Sequence, residues 1–260
     1  MAFPGDQSTV IGHRGLGGGT VEGHRENTLG SFMAAAASGV DWLEVDVRRT
    51  SDDVLVVAHD PAYDDGMFHI DTTAAMARER GTLLLDDLLA SLPPDVGIDF
   101  DLKSSMEDAA RPATGTTAAL LAPIAAREAR GRPVAVSSFD PAALLTTRML
   151  APDVPTGLLT WLRFPIGQAV SAAAHLDVDF LAVHMGSVRP TPIEPEVQQR
   201  PLDYIVSLLH GADRQVMAWC PKLTELARVL GAGVDAVCVN DVPSVLRQLR
   251  PQASSAATED

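Results

Sequence analysis

Glu44 and Asp46 stand two residues apart in the apolar run Leu43-Glu44-Val45-Asp46-Val47, and Asp99, Asp101 and Lys103 repeat that spacing in Ile98-Asp99-Phe100-Asp101-Leu102-Lys103. Side chains two apart on a strand share a face, so each set points one way. Neighbouring parallel strands lie roughly 4.8 Å apart, which lets the two sets meet at one point. Carboxylates gathered in this way suit one hard divalent cation, Mg²⁺ or Ca²⁺, that takes substrate oxygens at its open positions. Without a cation they repel, and one is driven toward protonation. The competing reading makes them structural ion-pair partners of Arg48 and Lys103.

Other groups able to do chemistry sit at the ends of nearby apolar runs. His13 closes Val10-Ile11-Gly12, and His59 closes 54–58. Either alone reads as a hydrogen-bonded structural histidine. Two of them flanking a carboxylate cluster suit general acid and base work near neutral pH. Arg14 offers a planar fork to a phosphate oxygen, or else a rim salt bridge. Lys103 offsets either phosphate charge or its own neighbours Asp99 and Asp101. Together these groups outline a metal-assisted phosphoester site. His184 ends a later run and reads as a substrate contact or a structural histidine. Trp219 reads as a stacking surface for substrate or as filling of the upper core. His24, His69, His175 and His210 read as surface residues.

The elements that must position these groups alternate along the chain. Apolar, β-branched runs at 9–13, 42–48, 96–103, 133–137, 156–160, 180–184, 215–219 and 236–240 predict strands. Amphipathic stretches at 28–38, 86–92, 113–130, 141–149, 166–175, 202–210, 223–230 and 243–249 predict helices. Eight strands, each followed by a helix, are the repeat of an α/β (β/α)₈ TIM barrel. A doubly wound open sheet is the alternative, but the glycines from Gly15 to Gly19 lead into a polar loop rather than directly into a helix. Asn27 or Thr28 caps the first helix, Asp140-Pro141 opens another, and Val242-Pro243 fits a third helix start. Residues 1–250 read as one barrel domain with a small insertion over its mouth at about 61–84, and 251–260 as a disordered tail.

Composition narrows the partners. The net charge of −14 leaves no basic stripe for a nucleic-acid backbone and disfavours stable association with anionic lipid. A small-molecule phosphodiester is the expected partner. The start, Met1-Ala2-Phe3-Pro4-Gly5-Asp6, has no basic or apolar leader, and no apolar run reaches membrane-spanning length, so a cytoplasmic protein is expected. Cys220 and Cys238 fall in consecutive late strands and read as two buried free thiols rather than a disulfide.

In order, the chain carries His13-Arg14-Gly15, Glu26-Asn27-Thr28, Glu44-Val45-Asp46 and His59-Asp60, then Asp101-Leu102-Lys103, Ser138-Phe139, Trp219 and Asp241-Val242-Pro243. In this it resembles the glycerophosphodiester phosphodiesterase family, barrel enzymes related to the secreted sphingomyelinase D enzymes. The resemblance spans nearly the whole chain, and the first four motifs together are its specific part. It implies metal-dependent hydrolysis of glycerophosphodiesters to an alcohol and sn-glycerol 3-phosphate. His13 and His59 would be the acid/base pair, and Glu44, Asp46 and Asp101 the ligands of one divalent cation. Arg14 and Lys103 would hold the phosphate. Glu26 would brace the first loop or reach the metal site, with Asn27 as a supporting neighbour. The chain departs from the family pattern at Arg25, where proline is usual, and at Asp101, where glutamate is commoner. It departs again at Cys220-Pro221-Lys222, where Thr-x-Asn often follows the tryptophan.

Two other activities fit the same residues. A phospholipase D-like enzyme acting on lysophospholipids or sphingolipids would want an apolar rim, which Leu16, Met67, Phe68, Trp161, Leu162, Phe164 and Met185 are placed to supply. A barrel that binds a phosphorylated ligand without turning it over is the third reading.

Overall fold

Among the residues that the computed structural model describes (2–3, 8–189 and 200–250), eight parallel strands close into a barrel. They are β1 (Thr9–Gly12), β2 (Trp42–Arg49), β3 (Gly97–Leu102), β4 (Val134–Ser138), β5 (Thr156–Leu159), β6 (Phe180–His184), β7 (Gln215–Trp219) and β8 (Ala236–Val239). Each pairs with the next, and β8 returns to β1 with Val239 opposite Gly12. The outer helices are α1 (Leu29–Ala37), α2 (Leu85–Ser91), α3 (Thr117–Glu128), α4 (Pro141–Leu150), α5 (Ile166–His175), α6 (Leu202–His210), α7 (Leu226–Gly231) and α8 (Val242–Leu249). No described helix is long and apolar enough to cross a membrane.

The alternation of the strands divides the apolar residues into two cores. One face of each strand packs under the helices through Val45, Val47, Phe100, Val136, Leu181 and Val216. The other face fills the barrel with Ile11, Trp42, Ala135, Leu159, Phe180, Met217 and Cys238. Two glycines make room for the large rings. A Cβ at Gly97 would lie 2.4 Å from Trp42, and one at Gly157 would lie 2.1 Å from Phe180. Phe3 plugs this inner core, its ring edge-on to Trp42 at 5.3 Å and to Phe180 at 4.9 Å. Gln215 fixes the plug by accepting from Phe3 N at 3.0 Å and donating to Phe3 O at 2.7 Å.

Local chemistry sets the helix ends. Thr28, rather than Asn27, caps α1 by accepting from Ser31 N, while Asp140 and Asp241 cap α4 and α8. Two expected helices are shorter than their apolar patterns. The stretch 113–130 divides into a 3₁₀ turn at Ala113–Gly115 and α3, because Thr116 turns extended and caps Ala119 N. The stretch 223–230 likewise opens with a 3₁₀ turn at Leu223–Glu225 before α7.

After β2 the chain doubles back through the short strand Leu55–Val57, antiparallel to β2, and then through Leu83–Leu84. The excursion between them holds a 3₁₀ turn at His69–Asp71 and a short helix at Ala74–Glu79. His69 is not a surface residue as its sequence setting suggested. It is only 6% exposed, with its ring 4.2 Å from that of Tyr63. The expected tail at 251–260 lies outside the described residues.

Candidate active site

Inward positions recur every second residue, so the last inward residue of each strand or of the turn after it lies at one end of the barrel. In chain order the inward residues at that end include His13, Asp46, Arg48, Asp101, Lys103, Phe139, Trp161, His184, Trp219 and Asn240. The alternation converts a one-dimensional pattern into a ring of functional groups.

The acids gather on β2 and β3. Register places Glu44 opposite Asp99 and Asp46 opposite Asp101. Ligand atoms of Glu44, Asp46 and Asp101 all lie within 4.8 Å of one another, and the three residues are buried. Glu44 Oε1 and Asp101 Oδ1 have no hydrogen-bond partner. Buried, orphaned carboxylate oxygens are costly, and they are the donor type a hard divalent cation takes. This donor set fits such an ion, and Asp101 stays within 4.8 Å of the other two carboxylates despite being shorter than glutamate. Asp99 sits two residues deeper and accepts from Ser137 Oγ at 3.0 Å. Burial and the nearby Asp101 charge push its pKa up to about 7.

Charge is unevenly shared in this cluster. Burial, reinforced by the charges of Asp46 and Asp101, holds Glu44 well above the usual carboxylate range. Asp46 is equally buried, yet Lys103 and Arg14 hold it below that range. Burial also raises Asp101, against the pull of Lys103. Lys103 Nζ lies 2.9 Å from Asp46 Oδ1 and also pairs with Asp101, and these charges outweigh burial to keep it protonated. Lys103 is thus the countercharge, as its sequence position allowed. Arg48 is not an ion-pair partner of these acids. Its Nε and Nη2 instead donate to the carbonyl of His59.

The first loop wraps this cluster. Arg14 takes a positive φ of 55°, its backbone N–H donates to Glu44 Oε2 at 2.8 Å, and its Nε lies 3.3 Å from Asp46 Oδ2. Glu26 braces the loop rather than joining the carboxylate cluster, pairing with Arg14 Nη1 at 2.8 Å and accepting from Gly19 N. Asn27 Nδ2 donates to Asp46 Oδ2 at 2.8 Å, which orients that carboxylate.

Each candidate acid/base histidine has one ring nitrogen tied and one available. Asn240 Oδ1 accepts from His13 Nδ1 at 2.5 Å, so the ring proton sits there and Nε2 faces Glu44 Oε2 at 3.9 Å. Asn240 is oriented in turn, since its Nδ2 donates to Cys220 Sγ at 3.4 Å. Gly17 presses on the same residue, and a Cβ there would lie 2.1 Å from Asn240 O. His59 Nδ1 donates to Asp60 Oδ1 at 2.9 Å.

The remaining expected contacts form one wall. His184 is half-buried and its Nδ1 accepts from Gly186 N at 2.8 Å, so this ring also closes a turn. Burial, then Arg189, lowers its pKa. Trp219 meets His184 at 4.4 Å, Phe139 at 5.9 Å and His13 at 6.3 Å, each edge-on. Cys220 and Cys238 are both free, but only Cys238 is buried. The positive φ of 54° at Cys220 turns its half-buried thiol toward His13, 3.9 Å from Nδ1.

The model of the glycerophosphoryl diester phosphodiesterase family matches residues 13–244. The chain belongs to that family. It is 28% identical over 244 residues to a Mycobacterium tuberculosis protein named "Probable glycerophosphodiester phosphodiesterase 2", covering 86% of this chain and 84% of that one. Two solved structures share the fold. The glycerophosphodiester phosphodiesterase of Thermotoga maritima superposes with a TM-score of 0.69 at 20% identity, covering 95% of this chain and all (100%) of that one. A phosphodiesterase of Oleispira antarctica, in complex with the product sn-glycerol-3-phosphate, gives a TM-score of 0.70 at 21% identity, covering 95% and 97%. Membership makes the chain a phosphoric diester hydrolase on a (β/α)₈ barrel.

Within this glycerophosphoryl diester phosphodiesterase barrel, one residue near the histidines, Asn240, escaped the sequence reading, and a second, Arg48, was read only as an ion-pair partner of the acids. Asn240 follows β8, and because the barrel closes, the residue after Val239 stands beside His13. Circular closure was the signal that would have found it. Arg48 lies two residues past Asp46 on the same face, and the reversal at Leu55–Val57 delivers His59 to it.

Proposed function

We propose that this chain hydrolyses glycerophosphodiesters to an alcohol and sn-glycerol 3-phosphate, with Glu44, Asp46 and Asp101 holding one divalent cation, Mg²⁺ or Ca²⁺. The observation that carries this reading is the meeting of three buried carboxylates, two with unpaired oxygens, beside two histidines that each keep Nε2 available. When bound, the cation supplies Lewis acidity to a non-bridging phosphoryl oxygen and to the nucleophile. His13 and His59 move the protons, one accepting from the attacking hydroxyl and the other donating to the departing oxygen. Arg14 and Lys103 offset the charge that builds on phosphorus-bound oxygens. Asn27 and Glu26 keep Asp46 and Arg14 in place, while Trp219 and His184 border the alcohol. The net charge of −14 supports a small-molecule partner over nucleic acid.

Assay of wild type, His13→Ala and His59→Ala on glycerophosphocholine, after metal stripping and restoration with Mg²⁺ or Ca²⁺ alone, tests this directly. Near wild-type turnover in either variant would defeat the two-histidine scheme. Full activity after stripping would defeat the cation assignment.

A phospholipase D-like reading retains one observation in its favour. Trp161 and Leu162 are 61% and 57% exposed beside the aromatic wall. Met67 and Phe68 are also exposed, but Leu16 and Met185 are buried because they pack into the barrel's outer core, so they supply no rim. Phe164 is half-buried. Comparing glycerophosphocholine with its lysophospholipid counterpart separates the readings, the first being the faster substrate here.

A further inference from the structure

Among the described residues, the largest fully buried side chain belongs to an arginine. Arg49 ends β2 and is 2% exposed. It follows Arg48, so strand alternation sends it behind the sheet, away from the carboxylate cluster. A guanidinium is always charged, and burying one is costly unless anions and carbonyls meet it. Here the partners come from two segments that border the site.

The first segment begins at Lys103. Arg49 Nη1 donates to Gly115 O at 2.7 Å and to Asp108 Oδ1 at 3.3 Å. Asp108 also accepts from Ser105 N at 3.3 Å and from the N–H of Thr117, the first residue of α3, at 3.0 Å. The span from Lys103 to α3 is thereby gathered around one guanidinium. The second segment is the turn after β2, which leads toward His59. Arg49 Nη2 pairs with Asp53, whose φ of 64° belongs to that turn, and Arg111 holds Asp53 from another side at 3.0 Å. The same turn reaches the excursion, where Asp52 accepts from Ala74 N at 2.9 Å and Ser51 Oγ donates to Thr72 O at 2.9 Å.

Lys103 is the group with most to gain from such an anchor. β3 ends at Leu102, and Lys103 keeps one further tie to β2, from its N–H to Val47 O at 3.0 Å. From there a flexible four-carbon stem must bring the ammonium to 2.9 Å from Asp46 Oδ1 and onto Asp101 as well. We propose that Arg49 is a positioning residue for the phosphodiester reaction, fixing the backbone of Lys103 from the outer side of β2 through Asp108 and Gly115. The assignment rests on the phosphodiesterase reading above. Arg49 contributes no group to the reacting centre, and its ion pairs are with Asp53 and Asp108 rather than with the carboxylate cluster.

The test measures kcat/KM on glycerophosphocholine and Tm for the wild type, Arg49→Lys and Asp108→Asn, and repeats both changes in a Lys103→Met background. A lysine head cannot span Gly115, Asp108 and Asp53 together. Asp108→Asn keeps an acceptor for Thr117 N while dropping the charge, and it carries the test if Arg49→Lys does not fold. Assayed well below Tm, each change should lower kcat/KM by about tenfold, as for a slightly misplaced reacting group. Arg49→Lys should also lower Tm by roughly 5–15 °C, the size for a broken buried ion pair in a chain of this length. In the Lys103→Met background the Tm losses should persist, while kcat/KM should fall no further, because residues that act as a unit are not additive. A purely structural role would move Tm alone. Folded variants with wild-type kcat/KM, or a tenfold loss that survives in the Lys103→Met background, would overturn the assignment while leaving the phosphodiesterase reading intact. A wild type that does not cleave glycerophosphocholine would overturn both.

Discussion

Arg48 aims two donors at one acceptor, its Nε and Nη2 lying 2.9 and 2.5 Å from the carbonyl oxygen of His59. The short strand before His59 pairs with β2 as far as Val57 opposite Val47, and Ala58 N still reaches Asp46 O at 3.1 Å. Beyond that point backbone pairing ends, and the Arg48 guanidinium supplies the next tie. One face of β2 therefore carries two of the candidate metal ligands and the clamp for a histidine.

If the clamp acts through His59, Arg48→Ala should cut kcat by about 10- to 100-fold, the usual cost of a misplaced reacting group. In a His59→Ala background the same change should cost nothing further, because residues that act as a unit are not additive. Arg48→Lys, with a single donor head, should recover part of the loss. Steady-state kinetics on the single and double variants decide the matter, and fully additive losses would show that Arg48 acts elsewhere.

Asn240 gives the matching prediction for His13. Its Oδ1 holds the ring proton on Nδ1, so Asn240→Ala should let the proton redistribute between the two nitrogens. kcat should fall roughly tenfold, as for other outer partners of site histidines, with little change in KM. Asn240→Asp keeps the acceptor and should keep the tautomer. Nitrogen NMR of His13 reads this directly, and an unchanged tautomer in Asn240→Ala would reject the role.

What was legible in the sequence follows from range. Period-two alternation is local, so Glu44, Asp46 and Asp101 were readable as one inward face, as were the barrel strands themselves. Asn240 and His13 are separated by 227 positions and meet only because the sheet closes, a contact no local pattern carries. Arg48 looked like a charge partner because strand periodicity gives direction but not reach. His69 sits in a polar, weakly patterned stretch, yet the chain reversal packs it under Tyr63. The half-buried setting of Cys220 depends on a single positive φ just past β7, which apolar patterning does not encode.

The carboxylate cluster predicts a coupling between cation binding and stability. Saturating Mg²⁺ or Ca²⁺ at about 100 times Kd adds about 2.7 kcal/mol, which raises Tm by roughly 5–10 °C in a chain this size. Asp46→Asn and Asp101→Asn should abolish most of that shift. Glu44→Gln should differ in the cation-free state. Burial and its acidic neighbours already hold Glu44 well above the usual carboxylate range, so the neutral isostere should match or exceed the wild type without cation. Differential scanning measurements with and without cation test both statements, and a cation shift retained in Asp101→Asn would contradict the ligand assignment.

His69 should make the fold acid-sensitive in a defined window. Burial, then the nearby Arg48 charge, lowers its pKa to about 4, whereas an unfolded histidine titrates near 6.5. The imidazole is therefore neutral in the folded state. Above about pH 6.5 neither state binds the proton and the full stability is present. As pH falls from there toward 4, the unfolded chain binds a proton that the native state refuses, so stability is lost through that interval and levels off below it. The loss from this group is at most about 3 kcal/mol, from the 1.36 kcal/mol per pKa unit. His69→Phe keeps a ring against Tyr63 and removes the titration. Urea unfolding from pH 7.5 to 4 should show a shallower decline in His69→Phe than in the wild type, with parallel curves above pH 6.5. Parallel curves across the whole range would mean that His69 is protonated as readily in the folded protein as in the unfolded chain.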